Sequence, residues 1–220
     1  MANDAALRPA ALYGATVSFL ALLFVVGLMM GSRWISPSQI LAALNGSSDL
    51  LTRITVLELR LPRNLLGLLG GAALGVAGAV MQGVTRNSLA SPGLTGVIAS
   101  AALAVVSLRT LSSPGAIWLP LMALGGGLLG GALTFAIAGR RKLQPERVVL
   151  AGIAVTSLAT ALTTGLLLVS GAEAAELYYW LAGSLMGRGW LQLQMVLPWL
   201  LLPLFALLVM QRPFRLLQLD

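Results

Sequence analysis

The stretch RLPRNLLGLLGGAALGVAGAVMQGVTRNSLASPG, residues 60–93, opens on Arg60 and Arg63, reaches Arg86, and holds no charge between Arg63 and Arg86. Residues 64–85 therefore form an apolar run of the length that crosses a bilayer core, about 20 residues for about 30 Å. Glycine and alanine fill its middle. Gly67, Gly71 and Gly75 recur every four residues, with Gly78 one turn further on. Small residues at that spacing let membrane helices approach backbone to backbone. The stretch thus reads as a packed transmembrane helix with arginines at both ends.

The rest of the chain repeats the pattern. Residues 9–32, 87–108, 110–139, 148–172 and 189–211 also lack Asp, Glu, Lys and Arg. Hydrophobic residues make up 58% of the 220 and charged residues 10%, and the mean hydropathy is +0.91. A soluble domain carries about a quarter charged residues. The fold class is therefore all-α: a polytopic helical membrane protein forming one membrane domain over 1–220. About six spans are expected, near 9–31, 64–85, 92–109, 115–138, 148–170 and 190–211, with short interfacial or re-entrant helices between them. The alternating ten-residue segments of a membrane β-barrel are absent. The first run is too long for a signal-peptide core and lacks a small-residue cleavage site, so it reads as a retained span.

Two connections have structure of their own. In WISPSQILAALNGSSDL (34–50), Ser36 is placed as N-cap and Pro37 as first-turn residue of a short helix that Asn45-Gly46 ends. GAEAAELYYWLAGSLMGRGW (171–190) is too polar to span, and Tyr178, Tyr179 and Trp180 suit a helix at the membrane interface. ALGGGLLGGAL (123–133) repeats the small-residue pattern in the fourth span.

The net charge is +7, but the basic residues are dispersed beside the ends of apolar runs, as membrane topology requires, and nucleic acid is not an expected partner. Placing the N-terminus in the cytoplasm puts Arg8, Arg86, Arg140, Arg141, Lys142, Arg147, Arg212 and Arg215 on the inner side. Arg33, Arg53, Arg60, Arg63, Arg109 and Arg188 then fall outside. The cluster RRKLQPER (140–147) favours that orientation. Four arginines between residues 33 and 63 run against the trend and suggest an acidic partner outside.

Catalytic chemistry has little to use. There is no histidine and no cysteine, so no metal site and no nucleophile–base pair is expected. The acids Asp4, Asp49, Glu58, Glu146, Glu173, Glu176 and Asp220 all fall outside the expected spans, and an intramembrane carboxylate is the usual mark of an ion-coupled carrier. No phosphate-binding loop of the G-x-x-x-x-G-K-[ST] type occurs. The chain is not expected to be an enzyme or to need a cofactor, and energy for transport would have to come from another subunit.

RLPR, GAALGVAGAVMQGVTRNSLASPGLTGV, LAGIAV (150–155), WLAGSLMGRGW (180–190) and RPFRLLQLD (212–220) closely resemble the permease subunits of bacterial ABC importers for iron–siderophores and cobalamin, the FecCD family. The resemblance runs from about Trp34 to the last residue. Ser88 and Thr95 depart mildly from the family pattern. Family permeases are longer, with a cytoplasmic coupling region and four further spans after a segment like RPFRLLQLD, so the chain is expected to be the N-terminal part of a type II importer permease, a fragment or a truncated product. The resemblance implies an inner-membrane subunit that passes ferric siderophore from a periplasmic binding protein, paired with a second permease subunit and driven by an ATPase subunit. Cobalamin or haem is the alternative cargo. A noncatalytic membrane scaffold is the rival from another class, and a gradient-driven carrier is disfavoured by the missing intramembrane acids.

Position by position, the resemblance implies that Arg60 and Arg63 dock the binding protein, with interfacial snorkelling as the bland alternative. It places Asn87, Ser88 and Leu89, together with Gln144 and Pro145 in the loop from Leu143, at the cytoplasmic gate. Gln82 is read either as an interhelical hydrogen-bonding group or as part of the pathway wall.

Overall fold

The computed structural model describes residues 3–85, 87, 91–112, 118–139, 145–171 and 174–209. The regular structure of the described residues is helical. In order it forms α1 (Asn3–Met29), α2 (Pro37–Leu44), α3 (Leu50–Arg53), a π-helical segment (Ile54–Arg60), α4 (Leu61–Thr85), a 3-10 turn (Pro92–Thr95), α5 (Val97–Leu111), α6 (Trp118–Ala138), α7 (Pro145–Val169), α8 (Ala174–Leu181) and α9 (Trp190–Val209). Four stretches are long and apolar enough to cross a membrane: Ala11–Met29, Leu50–Gly83, Trp118–Ala138 and Glu146–Val169. Val97–Leu111 is a shorter apolar helix, and α9 is uncharged over its 20 residues.

The differences from the expected spans have local causes. The second span is expected from residue 64, yet the helix runs on from Leu50, because Asp49 caps it, its Oδ2 accepting the Thr52 N–H at 3.1 Å. Arg53, Glu58, Arg60 and Arg63 are all helical residues of this rod. Glu58, expected outside any span, therefore lies within the long apolar helix, with its side chain exposed. The third span is expected from residue 92, but Gly96 adopts φ +72° and separates the 3-10 turn from α5. What remains is 15 residues, about 22 Å at 1.5 Å per residue.

Other local readings hold. Ser36 caps α2 in a reciprocal box with Gln39, Pro37 opens the helix, and Asn45 closes it. Gly46 then turns the chain at φ +76°. Helix α8 buries Leu177 and leaves Tyr178 and Tyr179 exposed.

The chain divides into two compact units, Met1–Leu68 with Met186–Leu193, and Leu69–Leu185 with Gln194–Asp220. The first is centred on Leu28, Ile35, Ile40, Ala43 and Val56, with Phe24, Met29, Leu57 and Leu61 packed around them. In the second, α5, α6 and α7 pack through their small residues. A methyl on Gly126 would meet the Ala104 side chain at 2.5 Å and the Ser100 carbonyl at 2.6 Å. One on Gly130 would overlap the Ser100 side chain, and one on Gly152 would overlap the Leu94 carbonyl. The fully buried Thr134 hydroxyl donates to the Thr95 carbonyl at 2.8 Å. It thereby gives a partner to a backbone group at the Gly96 break. Thr110 and Ser170 hydroxyls meet at 3.1 Å, and Arg109 reaches Glu176 of α8 at 3.6 Å.

The repeat 123–133 thus packs as its spacing suggests. The glycines of α4 behave differently within this chain. Gly67, Gly71 and Gly75 are exposed, and a methyl on Gly71, Gly75 or Gly78 would meet nothing within 4 Å.

Candidate functional site

The arginines between residues 33 and 63, with Arg188, fall in the first unit, and the fold gives them different tasks. Arg33, Arg53 and Arg63 are exposed. Arg60 is buried, with 5% of its surface accessible. Its Nη1 donates to the Leu28 carbonyl at 2.7 Å and to the Met29 carbonyl at 2.8 Å, and its Nη2 donates to the Arg33 carbonyl. Leu28 and Met29 end α1, where the last carbonyls of a helix have no partner along the helix itself. A cation there also faces the negative end of the helix dipole. A guanidinium is suited to the task, since its planar fork aims several donors at once and holds its charge on burial.

One turn further along α4, the Asn64 Nδ2 donates to the Phe24 carbonyl at 3.2 Å. Arg60 and Asn64 share one face of their helix, four residues apart. They meet Gly31 and Gly27, which are also four apart. A methyl on Gly31 would lie 2.7 Å from Arg60 Nη2, and one on Gly27 would lie 2.6 Å from Asn64 Nδ2. Arg60 of the π segment and Asn64 of α4 thus enter a groove that glycine opens at the end of α1. The G-x-x-x-G at 27–31 (GLMMG) is the signal in the sequence that could have found this groove. The longer glycine repeat of α4 overshadows it.

The opposite flank of the π segment is also held. The Trp190 Nε1 donates to the Leu57 carbonyl at 2.8 Å. Gly189 lies beside it, its N–H donating to Gln192 Oε1 at 2.8 Å. Before α3, hydrogen bonding from Thr52 holds the Asp49 carboxyl below the ordinary carboxylate range, and the positive charge of Arg33 adds to the effect.

Of the residues singled out from the sequence, Arg60 and Arg63 come together at the start of α4, one inward and one exposed. Gln82 and Asn87 are exposed along their surfaces and each makes an interaction within the chain. Pro145 is the first residue of α7. Ser88, Leu89 and Gln144 lie outside the described residues. Exposed guanidinium groups recognise carboxylates and phosphates through charge-assisted, often paired hydrogen bonds. Arg33, Arg53 and Arg63 carry such exposed groups.

Several helices of membrane-spanning length and glycine-packed helices define a multi-pass helical membrane protein. The chain belongs to the FecCD transport family, whose model matches residues 19–220, some fifteen residues earlier than the resemblance from Trp34. It is 32% identical over 222 residues to the iron(3+)-hydroxamate import system permease protein FhuG of Bacillus subtilis, covering 97% of this chain and 66% of that protein. It is 37% identical over 209 residues to the achromobactin transport system permease protein CbrC of Dickeya dadantii, covering 91% and 60%. With the ferric enterobactin transport system permease protein FepD of Escherichia coli it shares 38% over 175 residues, covering 78% and 52%. A solved inward-facing structure of a metal-chelate type ABC transporter superposes with a TM-score of 0.77 at 27% identity, over 96% of this chain and 65% of that one. The chain thus spans about 52 to 66% of the length of these relatives.

Proposed function

We propose that the chain is a permease subunit of a binding-protein-dependent ABC importer that carries ferric siderophore across the bacterial inner membrane. The observation that carries this reading is its sequence likeness, along nearly its whole length, to permeases named for iron–chelate import. A periplasmic binding protein delivers the cargo, a second permease subunit completes the pathway, and a separate ATPase subunit supplies the energy. The N-terminus lies in the cytoplasm, which places the start of α4 outside.

Within that frame, the exposed Arg63 meets acidic groups of the binding protein, and Arg33 and Arg53 add positive potential beside it. Arg60, the other arginine of RLPR, ties α4 to α1 beneath this surface. Asn87, Ser88 and Leu89, together with Gln144 and Pro145, form the cytoplasmic gate. The open glycine face of α4 at Gly71, Gly75 and Gly78 packs against further helices of the assembled importer.

The test is uptake of radioiron by iron-starved cells with the gene deleted and then restored, offered hydroxamate, catecholate and citrate chelates in turn. The reading expects at least one chelate to lose energy-dependent uptake in the deletion and to regain it on restoration. Uptake of all three at wild-type rates in the deletion would contradict it.

A further inference from the structure

The sequence RLPR places Pro62 inside a continuous helix, directly after the π-helical segment. Proline has no N–H to give, and its ring collides with the carbonyl four residues back. A π turn relieves that collision by spacing donor and acceptor five residues apart, and such turns are uncommon inside α-helices. The spacing is visible at Leu61, whose N–H donates to the Val56 carbonyl. The next donor in this register would be residue 62, and its acceptor would be Leu57. Pro62 cannot donate, so Leu57 is the carbonyl the proline leaves open. That is the carbonyl to which the Trp190 indole donates, at 2.8 Å, from 133 residues away.

The geometry points to Pro62, Leu57 and Trp190 as one register lock: the proline opens the turn, the tryptophan fills the open carbonyl, and the wide register that results aims Arg60 at the end of α1. Three observations support it. Pro62 is fully buried, so its ring packs where the collision must be relieved. Arg60 is the last residue of the π segment, so returning the turn to α spacing would rotate the preceding residues by about 100° relative to those after it. Arg60 also has donors on Leu28, Met29 and Arg33 together, a fit that such a rotation would break. Trp190 and Arg60 thus act as positioning residues, and a change at the entrance of α9 reaches the end of α1 without touching it. The lock would also set the spacing of Arg33 and Arg63, whatever binds them.

Amide hydrogen exchange on the full chain in lipid nanodiscs tests this, read in segments 26–35, 54–61 and, as a distant control, 155–165. Trp190→Phe removes the indole donor. It should speed exchange in both 54–61 and 26–35 by about tenfold, the effect of leaving one partly buried carbonyl without its donor, with the control unchanged. Pro62→Ala supplies an N–H at residue 62, so in that background adding Trp190→Phe should speed exchange less than about threefold, the two changes being strongly non-additive. An isostere carrying sulfur in place of the indole N–H, introduced at 190, should reproduce the Trp190→Phe result even if the phenylalanine variant accumulates poorly. The lock is overturned if segment 26–35 is unaffected by both replacements at 190. It is equally overturned if the effect of replacing Trp190 is as large in the Pro62→Ala background as in the wild type.

Discussion

Replacing Arg60 by leucine should destabilise the protein by about 3 kcal/mol. The substitution keeps an apolar stem in the groove beside Gly31 and removes the guanidinium donors from three carbonyls. Met29 retains the Ile35 N–H at 3.1 Å, so the loss falls mainly on Leu28 and Arg33. Hydrogen bonds to a charged group contribute about 1.5–3 kcal/mol each, and two of them would give roughly 3–6 kcal/mol. Removing a buried guanidinium also relieves its desolvation cost, which brings the expectation to the lower end. Arg60→Lys keeps the charge on a flexible stem without the planar fork and should lose about half as much. The assay is reversible unfolding of the three proteins in bicelles by titrated SDS, followed by tryptophan fluorescence. An Arg60→Leu protein within about 0.5 kcal/mol of wild type, the range of an ordinary surface change, would refute the role assigned to this side chain.

Gly152→Ala, whose methyl would overlap the Leu94 carbonyl, should cost about 1–3 kcal/mol in the same assay. Gly165→Ala on the same helix meets open space and should be neutral or stabilise by up to about 1 kcal/mol. Thr134→Val leaves the Thr95 carbonyl at the Gly96 break without its donor and should cost about 1–3 kcal/mol, seen as faster exchange of amides 95–100. Arg109→Gln removes the contact to the exposed Glu176; it should change stability by less than about 1 kcal/mol, and 0.5 M salt should shrink even that.

How much could be read from the sequence follows from what each signal measures. Uncharged length marks helices long enough to cross lipid, so α1, α4, α6, α7 and α9 were legible. It misplaced the start of α4, because Arg53, Glu58, Arg60 and Arg63 look like a boundary when only charge is counted, while the helix continues on its Asp49 cap. It overstated the third span because one left-handed glycine, Gly96, interrupts an apolar run without altering its hydropathy. Small-residue spacing identified the packing of α6 correctly and gave no partner for α4, since periodicity shows that a helix has a smooth face and not what covers it. The arginines of RLPR were legible as special but not as different from each other. Arg60 turns inward at the end of a π-helical segment and against Gly31 of the upstream helix end, and neither can be read from the motif alone.

The tasks proposed for the two arginines can be measured directly by titrating the nanodisc-embedded protein with the purified periplasmic binding protein of the proposed importer at low and high salt, for wild type and Arg63→Glu. If Arg63 docks while Arg60 holds the fold, Arg63→Glu should unfold like wild type yet bind at least about tenfold more weakly at low salt, with the difference shrinking at high salt. Unchanged affinity in a folded Arg63→Glu protein would contradict the account.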